Sequence, residues 1–318
     1  MRSQCTQYAS GLLCVLLELC GCSAEPVDDG VSVVAAADHA ALEPSWLDAV
    51  GSLRRELLPH GAPQLICSGS LIGQRTVLTA KHCVDQVLTA MAANERVTFG
   101  LGPDVQHARR AIAIAGALRA PRNDGGWNGL GHDLAVISLR EPIVDVLPLN
   151  VARWQTEAPP RALWTAGYGA HDDLNRRGLK RSGPVHLRAT NGRIYERIFG
   201  NFSSFYRWQT GEPPPAHCQG GADAPCDALA RAQRTYEETH LEDASELYAG
   251  GLEGDVQPCF GDSGGPLVGL DTHGIAAIYG VLSGGLHSRS QRCDHGAIYA
   301  RFDDALFRFA QDARRALW

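Results

Sequence analysis

Nine short apolar runs, each closed by turn residues, constrain this chain more than any other feature: Gln64 to Ile72, Thr76 to Ala80, Arg96 to Gly100, Ala111 to Ala115, Leu134 to Leu139, Ala162 to Ala166, Pro266 to Leu270, Ile275 to Ser283 and Ala297 to Phe302. Strands at this spacing, with few helical periods between them, predict an all-β sandwich or barrel with few helices. A content of 35 Gly and 17 Pro in 318 residues suits the many turns this requires. The length allows one large domain or two small ones. A net charge of -6 without a basic block argues against nucleic acid as a partner, since phosphate binding needs concentrated positive charge.

Two segments read as helices. Asp227 to Tyr248 is polar, with Ala, Leu, Arg and Glu at helix-like intervals, and predicts a surface helix. Asp303 to Leu317 starts acidic and carries Leu306, Phe309 or Ala310, and Ala313 on one face, so it should pack on the barrel. Between them in character lies an insertion over about 170–247, which includes Glu212-Pro213-Pro214-Pro215 and the close pair Cys218 and Cys226.

The N-terminus carries a localisation signal. Gly11 to Leu19 is too short to span a bilayer and fits the apolar part of a signal peptide over 1–21, although Glu18 interrupts it. Leu19-Cys20-Gly21-Cys22 then resembles a bacterial lipobox that would lipidate Cys22; a plain secretory signal and a short buried segment are the competing readings. Residues 22–44 are small and acidic and read as a tether or pro-segment, with the folded body over 45–318. The expected location is therefore secreted, or lipid-anchored at the bacterial cell envelope through Cys22. Setting the N-terminal cysteines aside leaves Cys67, Cys83, Cys218, Cys226, Cys259 and Cys293, an even set suited to disulfides in an oxidising compartment. Sequence alone leaves fifteen pairings open.

Three separated stretches carry chemistry. They are Cys67-Ser68-Gly69-Ser70-Leu71-Ile72 with Thr79-Ala80-Lys81-His82-Cys83, then His132-Asp133-Leu134-Ala135-Val136, then Cys259-Phe260-Gly261-Asp262-Ser263-Gly264-Gly265-Pro266. A serine hydroxyl becomes a nucleophile when a positioned imidazole takes its proton and a carboxylate fixes that imidazole's tautomer. His82, Asp133 and Ser263 supply these groups in the order His, Asp, Ser, whereas α/β-hydrolases place the serine first. Each element alone has a structural reading, and Gly-x-Ser-x-Gly alone also fits an esterase or a simple turn. Together the stretches resemble the trypsin-like (chymotrypsin-fold) serine peptidases.

That resemblance implies an all-β fold of two antiparallel six-stranded β-barrels with a C-terminal helix, Asp133 following the first barrel's strands and Ser263 in the second. It implies a serine endopeptidase acting on proteins or peptides, without metal or cofactor, in which His82, Asp133 and Ser263 are catalytic and the N–H groups of Gly261 and Ser263 form the oxyanion hole. It pairs Cys67 with Cys83 and Cys259 with Cys293, and leaves Cys218 with Cys226. Gln257, Ser283, Gly285 and Ala297 would line the specificity pocket, and Ser283 matches a serine that bonds the triad carboxylate. Gln257 stands where trypsin has an aspartate, which removes the main electrostatic basis for selecting Arg or Lys, unless Asp255 substitutes from a shifted position. Tyr248 stands where many relatives have a cysteine. In relatives Asp262 pairs with a new Ile or Val N-terminus after cleavage; Val31, Val33 and Val34 are candidates here, and no clear activation motif is present. The competing reading is a non-catalytic trypsin-like binding or regulatory module.

Overall fold

The computed structural model describes residues 44–56, 61–120, 132–160, 162–171, 176–216, 218, 224–243, 245–271, 273–287 and 293–316. The expected signal peptide, the tether, Cys22 and Val31 to Val34 lie outside the described residues. Among the described residues no helix is long and apolar enough to cross a membrane.

A 3-10 turn at Ser45–Ala49 leads into β1 (Val50–Glu56), β2 (Gln64–Gly73) and β3 (Thr76–Thr79). Helix α1 (Lys81–Ala92) separates these from β4 (Arg96–Leu101), β5 (Arg110–Arg119) and β6 (Ala135–Leu139). The six strands close on themselves in the order β1-β2-β3-β6-β5-β4. Closure leaves no edge of unpaired N–H and C=O groups. Alternating side chains turn inward, with Phe99 opposite Leu53 in the β1–β4 register and both without exposure to solvent. Asp133 does not follow the first barrel's strands, as the resemblance implies, but immediately precedes its β6. The buried run Ala135 to Leu139 is needed between β3 and β5 to complete the barrel.

After β7 (Asn150–Val151) come β8 (Leu163–Gly167), β9 (Arg181–Val185) and β10 (Leu187–Ala189), then β11 (Gly192–Arg193) and helices α2 (Ile194–Phe199), α3 (Phe202–Thr210) and α4 (Ala224–Glu238). The chain continues through β12 (His240–Leu241), β13 (Glu246–Ala249), β14 (Pro266–Leu270), β15 (Ala276–His287), β16 (Cys293–Arg301) and α5 (Asp304–Ala316). The second sheet runs β10-β13-β16-β15-β14-β8-β9, with β7 beside β15. Its two ends, β9 and β10, are consecutive in the chain and broken only at His186. The sheet therefore curls into a half-barrel whose seam is bridged by Gly250 N–H to His186 O at 2.8 Å and Val256 N–H to Pro184 O at 3.0 Å.

The helices differ from the sequence reading in instructive ways. The segment expected to be helical to Tyr248 leaves the helix at Glu238, because Glu246–Ala249 is buried throughout and pairs with β16. Tertiary pairing decides there, and the polar stretch before it keeps the helix. Helix α1 was not expected; Val84, Val87 and Ala90 bury its inner face against the first barrel. On α5 the buried stripe is Leu306, Ala310 and Ala313, so the alternative between Phe309 and Ala310 resolves to Ala310. These residues share one core with the first barrel and with Val268, Ile278 and Val281 of the second sheet. Asp303 caps α5, accepting Leu306 N–H at 2.7 Å. The first barrel's packing rests on Phe99 at its centre. Phe99→Ala is expected to destabilise the protein by roughly 3–5 kcal/mol, read as a lower urea midpoint with an unchanged slope.

Candidate functional site

The first-turn amides of a helix need acceptors from outside it. Helix α1 starts after Ala80, which offers no side-chain cap, and has no acidic residue in its first turn. Asp133 fills that role from the loop before β6: its Oδ1 accepts the His82 N–H at 3.0 Å. Its Oδ2 accepts the Ser283 Oγ–H at 2.6 Å and lies 2.8 Å from His82 Nδ1. Asp133 is 1% exposed. Burial alone would raise its pKa, but the His82 ring, the Ser283 hydroxyl and the His82 amide together hold it below the ordinary carboxylate value. An ionised carboxylate only accepts, so the ring proton sits on Nδ1 and Nε2 is left with a lone pair. Ser283, one of the expected pocket residues, thus spends its hydroxyl on Asp133.

The disulfide between Cys67 and Cys83, with Cα atoms 6.0 Å apart, ties β2 to the first turn of α1 beside His82. His82 and these two sulfurs are close enough to suggest metal ligands. The sulfurs are bonded to each other, so no thiolate is available and the group does not fit a metal ion.

Ser263 is positioned from the other side of Cys67. The next residue, Ser68, is fully buried on β2 and meets the Gly261–Ser263 loop twice: its N–H donates to Ser263 O at 2.8 Å, and its hydroxyl donates to Gly261 O at 2.9 Å. The same hydroxyl accepts the Tyr168 N–H at 3.0 Å, and the Ser68 carbonyl accepts the Thr79 hydroxyl at 2.9 Å. Tyr168 reaches back to the first barrel, donating its hydroxyl to Gly102 O at 2.7 Å. Gly264, at φ +82°, sits so close to Thr79 and Ser68 that a Cβ would lie 2.2 Å from Thr79 Oγ1 and 2.3 Å from Ser68 O. The loop is therefore pressed against the residues that lead into His82. Among the described residues the N–H groups of Gly261 and Ser263 have no protein acceptor.

Asp262 differs from Asp133. The residue is half-buried, but its carboxyl oxygens are each taken by a backbone N–H, from Gly169 at 2.7 Å and from Cys259 at 2.9 Å. Burial pushes the carboxyl up to about 6, against the lowering effect of those two N–H groups and of the Arg181 charge.

The expected pocket residues also come together. Gln257 turns its Oε1 to the Gly296 N–H at 3.0 Å and its Nε2 to the Asp255 carbonyl at 3.4 Å. Gly285 pairs with the fully buried Ala297, and a Cβ on Gly285 would lie 2.9 Å from Pro258 O. Asp255 already has partners within the fold. Its buried carboxylate is bound to His186 Nδ1 at 2.6 Å and to the Leu252 N–H at 3.0 Å. The remaining disulfides join Cys259 to Cys293 and Cys218 to Cys226, each with Cα atoms 5.4 Å apart. Sequence reasoning missed Ser68, Thr79 and Tyr168 as parts of the site. The available signal was a small hydroxyl residue between Gly69 and Cys67, the disulfide partner of the cysteine next to the histidine.

Comparison with known proteins places the chain in a family. The family model described as Trypsin matches residues 49–205 and 229–306. The rat protein granzyme M is 27% identical over 247 residues, covering 72% of this chain and 76% of the relative. A trypsin-like protease of Streptomyces glaucescens is 26% identical over 222 residues, covering 69% of this chain and 65% of that protein. The structure of mouse neuropsin, a serine protease, superimposes with a TM-score of 0.53 at 18% identity, over 87% of this chain and 97% of neuropsin. At that identity the superposition speaks for the fold.

Ser68→Ala strands the Gly261 carbonyl and the Tyr168 N–H and is expected to cost about 2 kcal/mol in urea unfolding. A loss below about 0.5 kcal/mol would mean that the hydroxyl does not join the loop to the barrel. Asp262 gives a pH signature. Its folded pKa of about 6 lies above the unfolded 3.8, so its cost to the fold is absent below about pH 4 and fully present above about pH 6. The urea midpoint of Asp262→Asn should accordingly gain on that of the unsubstituted protein as pH rises from about 4 to about 7.

Proposed function

Since the chain belongs to the trypsin family of serine-type endopeptidases, we propose that His82, Asp133 and Ser263 are its catalytic triad and that it cleaves protein substrates through an acyl-enzyme. The observation that carries this reading is the Asp133 carboxylate, held by Ser283 at 2.6 Å and by the His82 ring at 2.8 Å, which leaves His82 Nε2 as a base. In this mechanism Nε2 takes the Ser263 hydroxyl proton as Oγ attacks the scissile carbonyl carbon. The carbonyl oxygen gains the negative charge and accepts hydrogen bonds from the N–H groups of Gly261 and Ser263. Collapse breaks the C–N bond, with the proton passing from Nε2 to the leaving amine. Water, deprotonated by the same nitrogen, then attacks the acyl carbon, and the proton passes from Nε2 to Ser263 Oγ as the Oγ–acyl bond breaks and the acid leaves. Each oxyanion donor of this type contributes on the order of 3 kcal/mol to the barrier reduction.

Three finer assignments belong to the same proposal. Gln257 lines a neutral primary pocket, because its amide is engaged by Gly296 and by the Asp255 carbonyl, and Asp255 is occupied by His186. Asp262 is the site at which a new N-terminus, cut near Val31 to Val34, stabilises the working loop; a buried carboxylate with only N–H partners and a raised pKa gains most from a cation. Residues 1–21 direct secretion, and residues 22–44 tether the 45–318 domain to the cell envelope through lipidated Cys22 until that cut releases it.

The test is cleavage of casein and of a peptide library varied at the residue before the cut. The unsubstituted protein is expected to favour neutral side chains there over Arg and Lys. Ser263→Ala should keep the circular dichroism spectrum and lose at least about 10⁴-fold in turnover. Hydrolysis retained by that variant contradicts the assignment.

A further inference from the structure

We propose that helices α2 and α3 buttress the wall of the substrate pocket, acting through His295, and thereby set which side chains the pocket accepts. This rests on the peptidase reading above and gives a role to a part of the chain that the catalytic chemistry does not use.

The two helices form one rigid element. Gly200, at φ +71°, ends α2, and Asn201 caps α3 by accepting the Ser204 N–H at 2.9 Å, so the turn between them is short and fixed. Their inner faces are aromatic: the Tyr195 and Phe205 rings lie 4.5 Å apart and those of Phe199 and Trp208 4.9 Å apart. This cluster sits on Tyr248, Leu286 and Ile298 of β13, β15 and β16. None of its members belongs to the His82, Asp133 and Ser263 groups.

The cluster reaches the pocket at one place. The His295 ring packs edge-on against Phe199 at 5.0 Å and lies 5.5 Å from Trp208. Its carbonyl accepts the Tyr248 hydroxyl at 2.7 Å. The following N–H, of Gly296, is the one bonded to Gln257 Oε1 at 3.0 Å. Gly296 holds φ +75°, and a Cβ there would lie 2.6 Å from Ala249 O, so this peptide has no room to readjust once His295 moves. A continuous set of contacts thus runs from Phe199 and Trp208 through His295 and Gly296 to the side chain at the base of the pocket. Tyr248, standing where many relatives have a cysteine, contributes a hydrogen bond to this wall from within the aromatic cluster. Loosening the helices should release Gln257 without touching Asp133 or the loop that carries Ser263.

The experiment uses the full chain, first shown to label at Ser263 with a small fluorophosphonate. kcat and KM are then measured across peptides varied at the residue before the cut, for the unsubstituted protein, Trp208→Ala and Tyr248→Phe. Trp208→Ala is expected to raise KM for the preferred peptides about tenfold and to flatten the ranking among side chains, with kcat and labelling rate within about twofold. Tyr248→Phe keeps the ring and removes only the bond to His295, so a smaller shift of about threefold in the same direction is expected even if Trp208→Ala does not fold. Unchanged KM and ranking in folded Tyr248→Phe and Trp208→Ala overturn the proposal. Labelling that falls in step with KM also overturns it, since the helices would then support the whole fold and not the pocket. A starting protein that neither labels nor cleaves defeats the peptidase reading itself, which is a separate failure.

Discussion

The site depends on one buried serine on a strand of the first barrel. Ser68 bonds through its N–H, its hydroxyl and its carbonyl to Ser263, Gly261, Tyr168 and Thr79. Its neighbour Cys67 is covalently tied to Cys83, the residue after His82. Apolar packing between the two halves of the molecule is strong but tolerant of small displacement. Hydrogen bonds at 2.8–3.0 Å fix direction as well as distance. The strand thus serves as the common reference for the imidazole and for the serine loop. Chemistry that needs reacting atoms within a few tenths of an ångström needs such a reference.

Two buried carboxylates near this junction show how environment divides one residue type into different roles. Asp133 receives a hydroxyl, a ring N–H and a helix-terminal amide, and its pKa falls despite burial. Asp262 receives two backbone N–H groups and no direct cation among the described residues, and its pKa rises to about 6. The first is committed to its charge and orients an imidazole. The second holds its charge at a cost, which suits a group whose pairing state can change. The aromatic helices impose a third kind of control. They touch neither carboxylate and bear instead on the wall behind Gln257.

The strand content was readable in the sequence because strands buried on both faces write themselves as short apolar runs. Pro266–Leu270 matches its run end to end, and Gln64–Gly73 overshoots its run by one residue. The sequence failed where a tertiary partner outweighed local character. Tyr248 and its neighbours look like the tail of a polar helix until β16 is available to pair with them. Helix α1 was hidden because its buried stripe, Val84, Val87 and Ala90, lies among polar residues and follows a strand without a capping side chain. The residue types of the site were legible, since a serine in a Gly-rich run, a histidine and a carboxylate carry local motifs. The supports were not. Ser68, Tyr168 and His295 act through contacts with residues more than forty positions away, and no local pattern records those contacts.

The central claim is that Ser263 is the nucleophile and that the barrel junction delivers it to His82. Treating the folded full chain with a fluorophosphonate, before and after limited proteolysis near Val31 to Val34, and mapping the adduct by mass spectrometry tests this most directly. A single adduct on Ser263 is expected in at least one of the two states, absent in His82→Ala. An adduct on another residue, or none in either state of a protein shown to be folded, would contradict it.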